Sequence, residues 1–126
     1  MPDPRLLTAA ELELMHALWA AGEALTVQDV VDRLPGRAYT TIATLLKILE
    51  NKGFATTQRE GRKLYYAPVV GRPEYEGTAL RDVVLRVFSG DATALVRRLV
   101  EGEGLTDYEL TMLRHLLRER GGEGAE

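Results

Sequence analysis

A chain of 126 residues with 45% hydrophobic content and a formal net charge of -3 can build one compact body or two small modules, but not two large independent domains. It holds no cysteine, which excludes disulfides and thiolate metal sites and fits a reducing compartment. No apolar run is long enough to cross a membrane, and MPDPRLLTAAE has neither the basic start nor the apolar core of a signal peptide, so a cytoplasmic protein without membrane insertion is expected.

In chain order, Thr8-Ala9-Ala10-Glu11 is a capping-box pattern followed by Leu12, Met15 and Trp19 at helical spacing, with Leu14 and Leu18 beside them and Gly22 as the stop. A short extended piece surrounds Ala24 and Leu25. Thr26-Val27-Gln28-Asp29 opens a second, brief helix through Val30, Val31 and Leu34, which Pro35-Gly36 ends. The spacing predicts a third helix from Tyr39 to Lys52, closed by Gly53. The period then changes to that of strands. Phe54 to Arg59 and Arg62 to Ala67 are β-prone runs flanking a Glu60-Gly61 turn, with Pro68 closing the second. Three helices and a basic-tipped hairpin in this order make a winged helix-turn-helix domain, whose third helix enters the major groove of DNA while the hairpin touches the flanking backbone.

Beyond a hinge expected at Arg72-Pro73, Leu80, Val83, Val84, Val87 and Phe88 form a helical apolar stripe ending at Ser89-Gly90. Asp91 caps a helix carrying Leu95, Val96, Leu99 and Val100. Thr106-Asp107-Tyr108-Glu109 caps a last one carrying Leu110, Leu113, Leu116 and Leu117. Three such helices make a thin core alone, and a second copy would complete it; a symmetric pair also reads two half-sites where one recognition helix reads only a few base pairs. The expectation is a homodimer joined through Leu80, Val83, Val84, Val87, Phe88, Leu95, Leu99, Leu110, Leu113 and Leu117. The alternative is that this stripe packs back on the first lobe. The fold class expected is therefore mainly α with a small β-hairpin. A winged-helix DNA-binding domain over 1–71 is followed by a helical dimerisation domain over 72–120 and a disordered tail over 121–126.

The charge is unevenly spread. Residues 1–36 carry two basic and six acidic side chains, residues 37–72 seven and two, and residues 73–126 seven and eleven, giving -4, +5 and -4. The positive block begins with the third helix, and such a local block attracts phosphates more than the total charge repels them. At 100° per residue, Ile42, Leu45, Leu46 and Leu49 fall on one side of that helix. Thr40, Thr44, Lys47 and Asn51 fall opposite, flanked by Thr41 and Ala43. An idle surface helix more often carries Glu, Lys and Arg, which are better helix formers than Thr. Short threonines instead let a backbone approach DNA, where the hydroxyl bonds a phosphate or base edge and the methyl meets a thymine methyl. The bland alternative makes Thr40 and Thr41 mere capping residues. The expected DNA contacts are Tyr39, Thr40, Thr41, Ala43, Thr44 and Lys47 on the helix, and Arg59, Arg62 and Lys63 on the hairpin.

Nothing in the chain reads as catalytic. His16 and His115 are the only histidines and Ser89 the only serine; Glu13 and His16 have an i, i+3 spacing without partner ligands on another helix. No phosphate loop, nucleophile motif or carboxylate pair is present, so no enzyme, metal or cofactor is expected. The competing reading is a winged-helix module that binds another protein instead of DNA, which predicts an exposed apolar patch and no salt-dependent DNA affinity.

The segments ELELMHALW, AYTTIATLLKILENKGF and REGRKLYYAPVV resemble the penicillinase repressor family of bacterial transcriptional regulators, the BlaI/MecI/CopY type, over about Leu7 to Leu117. The resemblance implies a homodimeric winged-helix repressor on a palindromic operator in front of β-lactamase-type or other stress-response genes, with direct operator contacts at Thr41 and Thr44. Two departures stand out. Many members have Arg or Lys where this chain has Ala43, and Arg where it has Ile48, so its operator is expected to differ. Antibiotic-responsive members are cleaved after signalling by a membrane sensor protease at a position matching Arg98-Leu99, but the Asn-Phe pair typical of that site is absent. The copper-responsive branch uses C-terminal cysteines, and this chain has none.

Overall fold

The computed structural model describes residues 2–4 and 7–124. The chain divides into two compact units, Met1–Leu80 and Arg81–Glu126. In the first, α1 (Ala9–Ala21), α2 (Val27–Arg33) and α3 (Tyr39–Asn51) precede an antiparallel hairpin of β1 (Ala55–Glu60) and β2 (Lys63–Pro68). Both expected capping boxes form. The Thr8 hydroxyl accepts the Glu11 N–H at 3.2 Å while the Glu11 carboxylate accepts the Thr8 N–H at 2.9 Å, and Thr26 and Asp29 repeat the exchange at 3.1 and 3.0 Å. Gly22 leaves α1 at φ 70° and Gly53 leaves α3 at φ 86°, left-handed geometry that favours glycine.

The hairpin differs from its expected register by one residue. Glu60 pairs with Lys63, so the turn is Gly61-Arg62 and not Glu60-Gly61; the left-handed φ of 62° falls on Gly61, and Arg62 stands at the tip. Leu25, in the expected extended piece, exchanges two backbone bonds with Tyr66 at 2.8 and 2.7 Å, an antiparallel bridge on the far side of β2.

Leu14, Met15, Leu18, Leu25, Val30, Ile42, Leu46, Leu49 and Phe54 are fully buried and join all three helices to the hairpin in one core. Each such side chain contributes about 1.5–3 kcal/mol of burial. The core also takes the start of α4 (Arg72–Val87): Tyr75 is buried, its ring 5.5 Å from Trp19 and 6.2 Å from Phe54, and the Trp19 indole N–H donates to the Val70 carbonyl at 2.8 Å. Arg72-Pro73, expected as a separator, is thus the first turn of a helix, where a missing proline N–H is harmless. The compact first unit runs on to Leu80.

The second unit holds the rest of α4, then α5 (Ala92–Glu101) and α6 (Asp107–Gly124). Asp91 caps α5 by accepting the Ala94 N–H at 3.1 Å, and Thr106 and Glu109 form the third capping box at 3.1 and 2.9 Å. No described side chain of this unit is buried. Of the expected stripe, Val83, Val84, Phe88, Leu95, Leu110 and Leu113 are half-buried, while Val87, Leu99 and Leu117 are exposed, as is Leu80 at the end of the first unit. Leu85 and Met112, outside the expected stripe, are exposed too. Helix α6 runs to Gly124, past the expected end at 120, because extending a formed helix adds a backbone bond per residue even through glycines; Ala125 and Glu126 lie outside the described residues. Among the described residues no helix is long and apolar enough to cross a membrane.

Candidate nucleic-acid interface

Helix α3 sits with Ile42, Leu46 and Leu49 in the core and Leu45 packed against it. That anchoring turns Thr40, Thr41, Thr44, Lys47 and Asn51 outward, all exposed; Ala43 is half-buried on the flank and Tyr39 is 52% exposed at the first position. The helical projection therefore holds residue by residue.

The threonines are not caps. The N-cap of α3 is Ala38, which makes no side-chain capping bond, whereas α1 and α2 are both closed by full capping boxes. The first backbone N–H groups of α3 are consequently left for an outside acceptor. Among the described residues the Thr40, Thr41 and Thr44 hydroxyls make no internal hydrogen bond, unlike Thr111, which donates back to the Asp107 carbonyl at 3.0 Å. Exposed, short and uncommitted, these hydroxyls are suited to a phosphate or a base edge.

Three polar ties brace the helix. Arg37, in the turn before it, donates to Glu13 on α1 at 2.8 Å; this bond holds the Glu13 carboxyl below its usual range and explains why the first cation of the basic block faces its own fold. Lys52, just past its end, reaches the buried Glu11 carboxylate at 2.8 and 3.1 Å. Burial alone would push that carboxyl up, but the bonds from Lys52 and Thr8 outweigh it and leave it lowered. Thr57 on β1 donates to Glu50, the one carboxylate of α3, at 2.7 Å. The wing strand and α3 are thereby tied together, and the single acid of the helix is engaged.

On the wing, Arg59 pairs opposite Leu64 and Lys63 opposite Glu60, with Arg62 in the turn; all three cations are exposed and none has a carboxylate partner within ion-pair distance among the described residues. Between the wing and the first turn of α2 runs a groove of about 460 Å³, bordered by Tyr39. Sequence reasoning missed the groove because its walls come from residues 26–28, 39 and 59–64, and no local pattern links them. The structure thus brings Tyr39, Arg59, Arg62 and Lys63 around one opening, while the exposed threonines and Lys47 lie along the adjoining helix. Among the described residues no cluster of His, Asp or Glu could hold a metal ion.

A family model described as penicillinase repressor matches residues 7–119. The transcriptional regulator BlaI of Mycobacterium tuberculosis is 34% identical over 118 residues, covering 90% of this chain and 85% of that protein. The methicillin resistance regulatory protein MecI of Staphylococcus aureus is 24% identical over 117 residues, covering 90% and 94%. Among solved structures, MepR, a transcription regulator of the Staphylococcus aureus multidrug efflux pump MepA, matches with a TM-score of 0.50 at 19% identity, over 96% of this chain and 82% of that one, which supports the winged-helix fold. The chain belongs to the penicillinase repressor family and is a transcriptional repressor of the BlaI/MecI type, not an enzyme.

Proposed function

We propose that this family member represses transcription as a homodimer on a palindromic operator, reading bases with Thr41 and Thr44 while Tyr39, Thr40, Ala43 and Lys47 line the helix–groove contact. Arg59, Arg62 and Lys63 hold phosphates beside it. The observation that carries this reading is the outward polar face of α3, whose threonine hydroxyls are free of caps and internal bonds, next to a wing of three unpaired cations. The second copy is drawn in by the apolar side chains of the second unit, from Val83 to Leu117, none of which is buried within the protomer. Cleavage by a sensor protease has little support: Arg98-Leu99 lacks the family's Asn-Phe pair and lies inside α5, where a backbone must unwind before it fits a protease.

Gel shifts against genomic fragments at two salt concentrations test the reading. Affinity should fall steeply with salt, with a logarithmic slope of about -0.9 per phosphate neutralised, and Arg62→Gln should weaken all sequences alike while making that slope shallower by about 0.9. Salt-independent or absent binding would favour the protein-binding alternative, and an unchanged slope in Arg62→Gln would take the wing tip out of the interface.

A further inference from the structure

The chain has no cysteine for the copper-type induction route and lacks the Asn-Phe pair of the proteolytic one. The groove between α2 and the wing offers another. Its volume of about 460 Å³ falls within the roughly 300–1,000 Å³ of small-molecule sites, larger than a passing phosphate needs. Val27 and Leu64 give it an apolar floor, both half-buried and packed on the core, and the exposed Tyr39 ring stands at its edge. Arg59, Arg62 and Lys63 line the wing side without a carboxylate partner. Asp29, whose carboxylate accepts the Thr26 N–H, attracts Lys63 from beyond ion-pair distance and so offsets part of its charge; Glu60 sits opposite Lys63 in the strand register with no ion pair formed. On the α2 side Gln28 donates its amide to Asp32 at 2.9 Å.

We infer that this groove binds a small organic anion, a carboxylate or phosphate on an aromatic or otherwise apolar body, and that the occupant relieves repression by competing with DNA for Tyr39 and the wing cations. The body covers the Val27 and Leu64 floor while the anionic end meets the arginines and lysine, a division of labour that bare phosphate cannot fulfil. The regulatory half of this inference rests on the DNA-facing wing proposed above; the binding half stands on the groove alone.

Benzoate serves as the probe. In the full-length, isotope-labelled chain, titration at constant ionic strength should give saturable amide shifts confined to Val27, Gln28, Tyr39 and the 59–64 wing. Gln28→Glu adds a negative charge at an exposed position beside the groove and should bind benzoate about tenfold more weakly, the factor for a like charge worth about 1.4 kcal/mol. Inorganic phosphate, matched in ionic strength, separates a bare anion site from this one: shifts as large and as tight as those with benzoate would overturn the inference, because the apolar floor would then contribute nothing. In gel shifts, benzoate should weaken DNA binding by wild type, and about tenfold more benzoate should be needed for the same effect on Gln28→Glu; wild-type DNA affinity unmoved by saturating benzoate would overturn the regulatory half. A chain that takes benzoate in the groove yet never binds DNA refutes the proposed function and with it the regulatory half, leaving the binding half standing; one that binds DNA without localised benzoate shifts refutes the groove alone.

Discussion

The two units solve the same problem in opposite ways. The first encloses most of its apolar side chains: nine are fully buried, α1 and α2 open on capping boxes, and α3 opens on Ala38 without a side-chain cap. The second has helices of comparable length and equally orderly caps, yet its leucines and valines stay half-buried or exposed, up to 62% for Leu85 and 61% for Leu117. Local helix signals are therefore equally good in both, and among the described residues only the first unit has a sheet to complete its burial. Under the proposed function, the closed unit presents its polar face to DNA and the open one meets another copy.

Truncating one leucine in each unit sharpens this contrast most. Leu46→Ala should cost about 2–5 kcal/mol in denaturant unfolding, because a fully buried side chain leaves a cavity that the packed helices cannot fill. Leu99→Ala, on a residue 42% exposed in the protomer, should change protomer stability by no more than about 0.5 kcal/mol. Its charged counterpart, Leu99→Glu, should instead convert dimers to monomers in sedimentation. A Leu99→Ala loss matching that of Leu46→Ala at concentrations too low for association would show that the second unit closes its own core.

Much of this contrast was legible in the residues. Thr8, Thr26, Asp91 and Thr106 mark helix starts because the capping bond is local, made between residues three apart. The face of α3 was legible for the same reason, since a fixed 100° step and four apolar anchors determine which side chains turn outward. What escaped depends on contacts between distant residues. Arg72-Pro73 read as a boundary, but Tyr75, a few residues on, is buried against Trp19 and Phe54, so the helix start belongs to the first unit. The hairpin turn slipped by one residue because Glu60-Gly61 and Gly61-Arg62 are equally plausible in sequence, and cross-strand pairing decides between them. The groove and the Glu11–Lys52 pair were invisible for want of any local signal, their members lying on separate elements.

That pair provides the next test, because among the described residues only the first unit has a buried carboxylate to lose. Glu11 is 3% exposed and its carboxyl is lowered in the fold. A carboxyl with a lowered folded pKa contributes stability above its unfolded pKa, and that contribution disappears as pH falls through the folded one. Glu11→Gln should therefore be less stable than wild type near neutrality by about 1.5–3 kcal/mol, the range for hydrogen bonds to charged groups, with the gap narrowing as acid protonates Glu11 in the wild type. Unfolding curves measured across the acid range check the sign. A gap that persists undiminished into strong acid would mean that the shape of the carboxyl group matters and its charge does not.

The smallest effect bears on what the first unit's order is for. Thr44→Ala removes a hydroxyl and a methyl from an exposed position, so the fold should be almost indifferent to it. Operator affinity should nevertheless drop by on the order of 1 kcal/mol per half-site, with relaxed preference at one base pair in each, if Thr44 reads a base edge. Thr44→Ser and Thr44→Val divide the side chain further: recovery with serine assigns the contact to the hydroxyl, recovery with valine to a methyl meeting thymine. Equal losses on operator and random DNA would instead make Thr44 a phosphate contact, and base reading would then fall to Thr41 on the same exposed face.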